Sequence, residues 1–257
     1  MFGFLIKKSF FDMWDNLFRI VIINLGYLVV FAVLLYFPLL FKSIPILFYF
    51  SMIIGIVLVS IYTGSASRFT SEIADYEAPG FKEFLDYLKE TYRSSLIFAL
   101  LNIVLIFLLS IAFPTYGRMK SIFGPVAFSF LFWLTIVWIL SIQYFFPIQS
   151  RLDKNFKKIM KKMFLLFFDN FAFSIGLFIG SVFILAISAF TAFLLPGIGT
   201  ILLWLNVALK LRLYKYDYLE EHPDTKKSDI PWDALLLADR EKVGKRTLKG
   251  MIFPWKE

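Results

Sequence analysis

Enzymatic chemistry needs a nucleophile, a general base or a metal-binding group, and this 257-residue chain has few of them. Its single histidine, His222, stands beside Pro223 in a polar stretch near the C-terminus, so neither a histidine-based triad nor a multi-histidine metal site can be assembled. The absence of cysteine excludes thiol catalysis, zinc thiolates and disulfides. Charged residues stay out of the long apolar runs except near one end of each. That removes aspartyl-type intramembrane chemistry and the proton-relay carboxylates of many coupled transporters. A Ser94/Lys162 pair is conceivable, but no spacing supports it. The expectation is a protein with no catalytic site, no metal and no cofactor.

The remaining polar residues are suited to binding or packing. Asn24, Asn102, Gln143 and Asn206 lie within apolar runs, with Thr135 and several serines. They could line a solute path, or hydrogen-bond one helix to another at about 1–2 kcal/mol or less each. Asn24 and Asn102 fall at similar distances before Pro38 and Pro114, and packing is the favoured use. Gly176 and Gly180 have GxxxG spacing, beside Ser174, Ser181 and Ser188 at intervals of seven, so backbones can approach closely there. The centre of a bundle is preferred over a homodimer face. Lys154, Lys157, Lys158, Lys161 and Lys162 form a basic stripe opposite Phe156, Ile159, Met160, Met163, Phe164 and Phe167. Anionic lipid headgroups suit such a stripe, at ~1 kcal/mol per charge near the surface, as does an acidic partner surface. Phe253 and Trp255 belong to an apolar end that follows Lys242, Lys245, Arg246 and Lys249; it would dock on the membrane surface or in a partner's groove.

The elements that position these residues follow from composition. The chain is 59% hydrophobic and 20% aromatic, against roughly half apolar for a soluble domain. The excess lies in carboxylate-free runs at about 19–41, 44–67, 95–113, 122–149, 170–195 and 197–216. Runs of ~20 residues suit helices across a ~30 Å hydrocarbon layer and are too long for barrel strands. Of the 27 Lys and Arg, only Lys42, Arg118 and Lys120 fall on one side of these runs, and all 19 Asp and Glu fall on the other. By the positive-inside rule both termini are then cytoplasmic. The formal charge of +8 is a topology signal on this reading and implies no nucleic-acid partner. Lys7 and Lys8 without a following small-residue cleavage site predict an uncleaved signal anchor.

The predicted fold is all-α: a polytopic membrane protein with six transmembrane helices as three helical hairpins, plus interfacial amphipathic helices near 10–18, 81–92 and 154–168. Residues 1–218 form the transmembrane domain. Residues 219–257 form a cytoplasmic tail, mostly an extended arm with a short helix around 232–241. Pro38, Pro114 and Pro196 mark turns, and Asp15-Asn16, Ser94-Ser95 and Asp169-Asn170 mark helix starts, a recurrence that leaves a triplicated hairpin open.

The hairpin order, the segment Phe145-Phe146-Pro147-Ile148-Gln149-Ser150-Arg151-Leu152, and the basic helix followed by Phe168-Asp169-Asn170 resemble the YesL-like family of bacterial membrane proteins over about residues 10–218. The resemblance implies a bacterial cytoplasmic (inner) membrane location and an accessory role beside a carbohydrate ABC importer; it supplies no catalytic residues. The expected function is a scaffold that binds partner proteins at its cytoplasmic face. The competing expectation is a small neutral-solute transporter or channel.

Overall fold

The computed structural model describes residues 1–226 and 229–246. Among them every regular element is helical. The chain runs through α1 (Phe2–Asp15), α2 (Leu17–Tyr36), a single 3₁₀ turn (Pro38–Phe41), α3 (Pro45–Ala74), α4 (Glu83–Arg118) and α5 (Phe123–Ile142). It continues through α6 (Phe145–Arg151), α7 (Phe156–Asp169), α8 (Phe171–Phe190), α9 (Gly197–Glu221), α10 (Trp232–Leu235) and α11 (Leu237–Val243). Six stretches are long and apolar enough to cross a membrane: Leu17–Phe41, Pro45–Ala74, Glu83–Arg118, Phe123–Arg151, Phe171–Phe190 and Gly197–Glu221. The chain is a multi-pass membrane protein.

Packing follows chain order for the first four of these: α2 lies against α3, α3 against α4, and α4 against α5. The last is different. α9 packs against α1, α2, α3, α6 and α8 at once, and 67% of its apolar window is buried, against 11–22% for the other five. It is the core helix of the fold. Around it Leu203, Val207, Ala208, Leu209 and Leu211 are sealed from the surface, with Leu5 of α1, Ile73 of α3, Ile148 of α6 and Leu177 of α8.

Three expectations need correction. Ser94-Ser95 does not start a helix: α4 continues unbroken through it, because both hydroxyls face inward and bond to another helix instead of capping their own. Pro114 is not at a turn but inside α4, four residues before its end, whereas Pro38 opens the 3₁₀ turn and Pro196 precedes α9. The three prolines therefore share no common geometry, which removes much of the motive for a triplication. The short helix expected in the tail is present, divided into α10 and α11, but it does not hang from a free arm: the segment packs back on the bundle and buries Ile230, Leu236 and Val243.

The amphipathic stretch 154–168 forms α7, whose first turn is capped by the Asn155 side chain accepting from Lys157 N and Lys158 N. Its apolar face (Ile159, Met163, Leu166, Phe167) is buried against α5, α6 and their neighbours, so protein rather than lipid covers it. Leu165 and Phe168 point away from that contact and are exposed, beside the exposed Lys157 and Lys161.

Candidate functional site

The residues with the greatest chemical capacity meet on one side of the bundle, where α1, α3, α6, α9 and α11 converge. Lys8 of α1 is fully buried and pairs with Asp12 one turn later at 2.8 Å. Asp239 of α11 reaches in between Lys8 at 3.8 Å and Lys210 of α9 at 3.3 Å. Lys210 also meets Asp75, at 3.2 Å, and donates to Ala74 O at the end of α3. Asp75 in turn accepts from Arg151 of α6 at 2.7 Å, while the other Arg151 nitrogen donates to Ser71 O.

Tyr76 stands at the centre. It follows α3 in a left-handed backbone conformation, φ 66°, which turns its ring under three cations. Lys8 Nζ lies 3.5 Å from the ring centroid, with Lys242 and Lys210 at 4.6 and 4.8 Å. A ring quadrupole attracts cations in this position. The Tyr76 hydroxyl donates to Asp239 O, and Tyr214 donates to Asp239 Oδ2 at 2.8 Å.

The electrostatics follow from this geometry. Burial raises the Asp12 carboxyl to about 6, although Lys8 pulls the other way. The same burial lowers Lys8, opposed by Asp12 and Asp239. Burial would also raise Asp239, but the charge of Lys210, the Tyr76 and Tyr214 hydroxyls and Lys8 outweigh it and hold this carboxyl below its ordinary value. Around this core Lys7 donates to Gly244 O at 2.9 Å and Arg246 meets Asp15 at 2.8 Å. The N-terminal helix and the tail thus clasp each other across the end of α9. Within the buried core each acid has a base and each base an acid or an aromatic face. That arrangement fits a structural clasp better than a catalytic pair. Among the described residues no three His, Asp or Glu converge as a metal ion would require.

The four amides of the apolar runs each bond to a neighbouring helix or turn. Asn206 donates to Ser67 and Thr70 of α3. Asn102 of α4 accepts from the Trp138 indole of α5 at 3.1 Å. Gln143, just past α5, donates to Ser174 O of α8 at 3.0 Å. Asn24 of α2 holds the turn between α8 and α9. Gln149 extends the pattern: its Nε2 lies 2.9, 2.6 and 3.0 Å from Thr91 O, Ser94 Oγ and Ser95 Oγ of α4. Ser150 reaches Ser67 of α3 at 2.9 Å. The segment Gln149-Ser150-Arg151 therefore stitches α6 to α3 and α4.

Gly180 lies against the Trp204 indole, and Gly176 against Phe2 of α1, both within the molecule. The stripe lysines remain largely exposed; Lys154 pairs with Glu90, and Lys158 and Lys162 with Asp153. Phe253 and Trp255 lie outside the described residues. Sequence reasoning missed the ionic clasp. Its signals were the i, i+4 spacing of Lys8 and Asp12, and Lys210, the first of three basic residues in the last apolar run. Comparison with family models, with curated proteins and with solved structures finds no match to this chain.

Proposed function

We propose that this protein is a non-enzymatic scaffold of the bacterial inner membrane that binds partner proteins at its cytoplasmic face. The carrying observation is the ionic clasp. It fixes α1 and α11 to the core helix and so builds a rigid body on the side where the charges gather. A protein that moved solutes has no need of so large an ordered assembly outside the membrane; a docking platform does. On the same face α7 presents Lys157 and Lys161 beside Leu165 and Phe168, a surface suited to anionic headgroups or an acidic partner.

The charge distribution supports both termini in the cytoplasm and a hairpin order for the apolar helices. The YesL-like resemblance makes a carbohydrate ABC importer the first partner to test. The amides are engaged between helices, which supports their role as cross-links and leaves no observation favouring a solute path. Crosslinking in intact membranes, mild extraction and mass spectrometry of co-isolated proteins test the scaffold. A specific membrane partner should be recovered and lost on reversing the α7 charges. Recovery of the protein alone, in several detergents, overturns the proposal.

A further inference from the structure

Two of the six apolar helices are held short of the others. On α2, Arg19 is the last charged residue, Asn24 lies five residues further on, and the helix continues for twelve residues to Tyr36. At ~1.5 Å per residue these steps are roughly 7.5 and 18 Å. Asn24 is where the turn between α8 and α9 is fastened. Its Nδ2 donates to Leu194 O at 2.8 Å and Pro196 O at 2.7 Å, and its Oδ1 accepts from Gly199 N at 2.7 Å. The turn therefore sits near the charged end of α2, with most of that helix rising beyond it.

A second register, independent of α2, agrees. Asn206 of α9 meets Ser67 and Thr70 of α3. From that level α9 has nine residues left to its start at Gly197, roughly 14 Å. α3 has twenty-two from Ser67 to its start at Pro45, roughly 33 Å. Both measures put the turn about 20 Å short of the far ends of α2 and α3.

The chemistry of the turn matches that depth. Residues 188–201 carry no charge, whereas the turns after α2 and α4 carry Lys42 and Arg118 with Lys120. Phe190, at the tip, is 91% exposed from protein. In water such a turn leaves its backbone to solvent, but here side chains take that role. Gly197 N donates to Ser188 Oγ at 2.8 Å, and Asn24 satisfies three further backbone groups. Irregular backbone at membrane depth is tolerated only when it is satisfied within the protein.

We propose that α8 and α9 form a re-entrant hairpin. It enters and leaves on the side of the ionic clasp, ends near the middle of the bilayer, and leaves the opposite leaflet beyond its tip to lipid acyl chains. Four segments then cross fully, and the heavy burial of α9 follows from its lying among α1, α2, α3, α6 and α8. This does not depend on which side is cytoplasmic.

The chain has no cysteine, so single variants report directly. Phe190→Cys is compared with Ser43→Cys, in the turn after α2, using an impermeant maleimide on intact cells and on inverted vesicles. Ser43→Cys should label from one side only. Phe190→Cys should stay at the background of the Cys-free chain from both sides, and label fully once detergent and denaturant dissolve the membrane. A nitroxide at 190 should collide freely with oxygen and poorly with a water-soluble nickel chelate, the reverse of one at 43. Phe193→Cys repeats the measurement if the first variant is poorly produced. Labelling at 190 from the side that labels 43, or a nitroxide there that meets the chelate as readily as at 43, overturns the hairpin.

Discussion

Asp239 on α11 and Lys210 on α9 approach to 3.3 Å across a contact from which both the tail and Lys8 exclude solvent. The last short helix of the described chain is thereby tied to the core helix by charge, with Tyr214 holding the second carboxylate oxygen. Removing one member of a buried pair leaves its partner uncompensated, at about 3–5 kcal/mol. Asp239→Ala should therefore lower thermal stability in detergent by an amount of that order. It should also make residues 230–246 sensitive to limited proteolysis while the apolar helices stay protected. Asp239→Asn, which can still accept from Tyr214, should do both more weakly. Unchanged protease sensitivity in Asp239→Ala would show that apolar contacts of Leu236 and Val243 hold the tail unaided.

Orientation is tested by the same labelling chemistry at other positions. Cysteines replacing Lys42 and Arg118 should react with an impermeant reagent from outside the cell, and those replacing Lys89, Lys161 and Lys226 should not. Reversal of this pattern would move the ionic clasp to the outer face and remove the basis for a cytoplasmic platform.

The helices were legible because spanning lipid demands a helix or a closed barrel, and apolar runs this long fit only the helix. The stripe of α7 was equally plain, but what covers it was not: Ile159 and Met163 look the same in sequence whether lipid or α6 lies against them. Helix ends were misread where local chemistry has two uses. Ser94 and Ser95 are good capping residues, yet Gln149, more than fifty positions later, takes them into a helix interior. Lys8, Asp75, Tyr76 and Asp239 could not be joined from sequence, since a charge next to an apolar run normally signals topology. Only the fold brings three separate charged segments onto one aromatic ring.

Asn24 is the side chain on which the α8–α9 turn depends. Asn24→Leu keeps the volume but strands Leu194 O and Gly199 N, leaving Pro196 O to the Thr200 hydroxyl alone, at about 1–3 kcal/mol for each buried group left unpaired. The variant should lose roughly 2 kcal/mol or more of stability on that basis. Asn102→Leu, which forfeits one indole bond at an only partly buried site, should lose less. Equal losses would mean that the turn finds other partners.

The two glycines with GxxxG spacing should behave differently. A Cβ on Gly180 would stand 2.6 Å from Trp204 Cζ2, against an indole already fixed by its bond to Leu177 O. A Cβ on Gly176 would meet only the Phe2 ring edge, at 3.2 Å, which a movement of a few tenths of an ångström relieves. Gly180→Leu should destabilise by about 1–3 kcal/mol through overpacking, while Gly176→Ala should be close to neutral. Neither should change the oligomeric state in size-exclusion with light scattering. Dissociation of an oligomer by either variant would restore the homodimer face.

Acid should act on the clasp through Asp12. Its carboxyl is raised from 3.8 in the unfolded reference to about 6 in the folded protein, because burial disfavours its charged form more than Lys8 favours it. Between those values the folded state binds more protons than the unfolded state, so stability falls as pH rises. The contribution of Asp12 is thus fully present below about pH 4 and is lost as pH rises through about 6. A shift of about two units corresponds to roughly 3 kcal/mol over the whole window. Asp239 runs in the opposite sense, since its carboxyl is held low and its contribution is lost as pH falls. The wild-type curve therefore mixes the two, and the difference between wild type and Asp12→Asn isolates the first. Thermal unfolding in detergent at steps from pH 4 to pH 7 should show wild type losing stability relative to Asp12→Asn as pH rises, most steeply midway between the two values, near pH 5, and levelling off above about 6. A difference that is flat, or that grows in favour of wild type with rising pH, would mean that the Lys8 ammonium dominates Asp12 and that its carboxyl is ionised throughout.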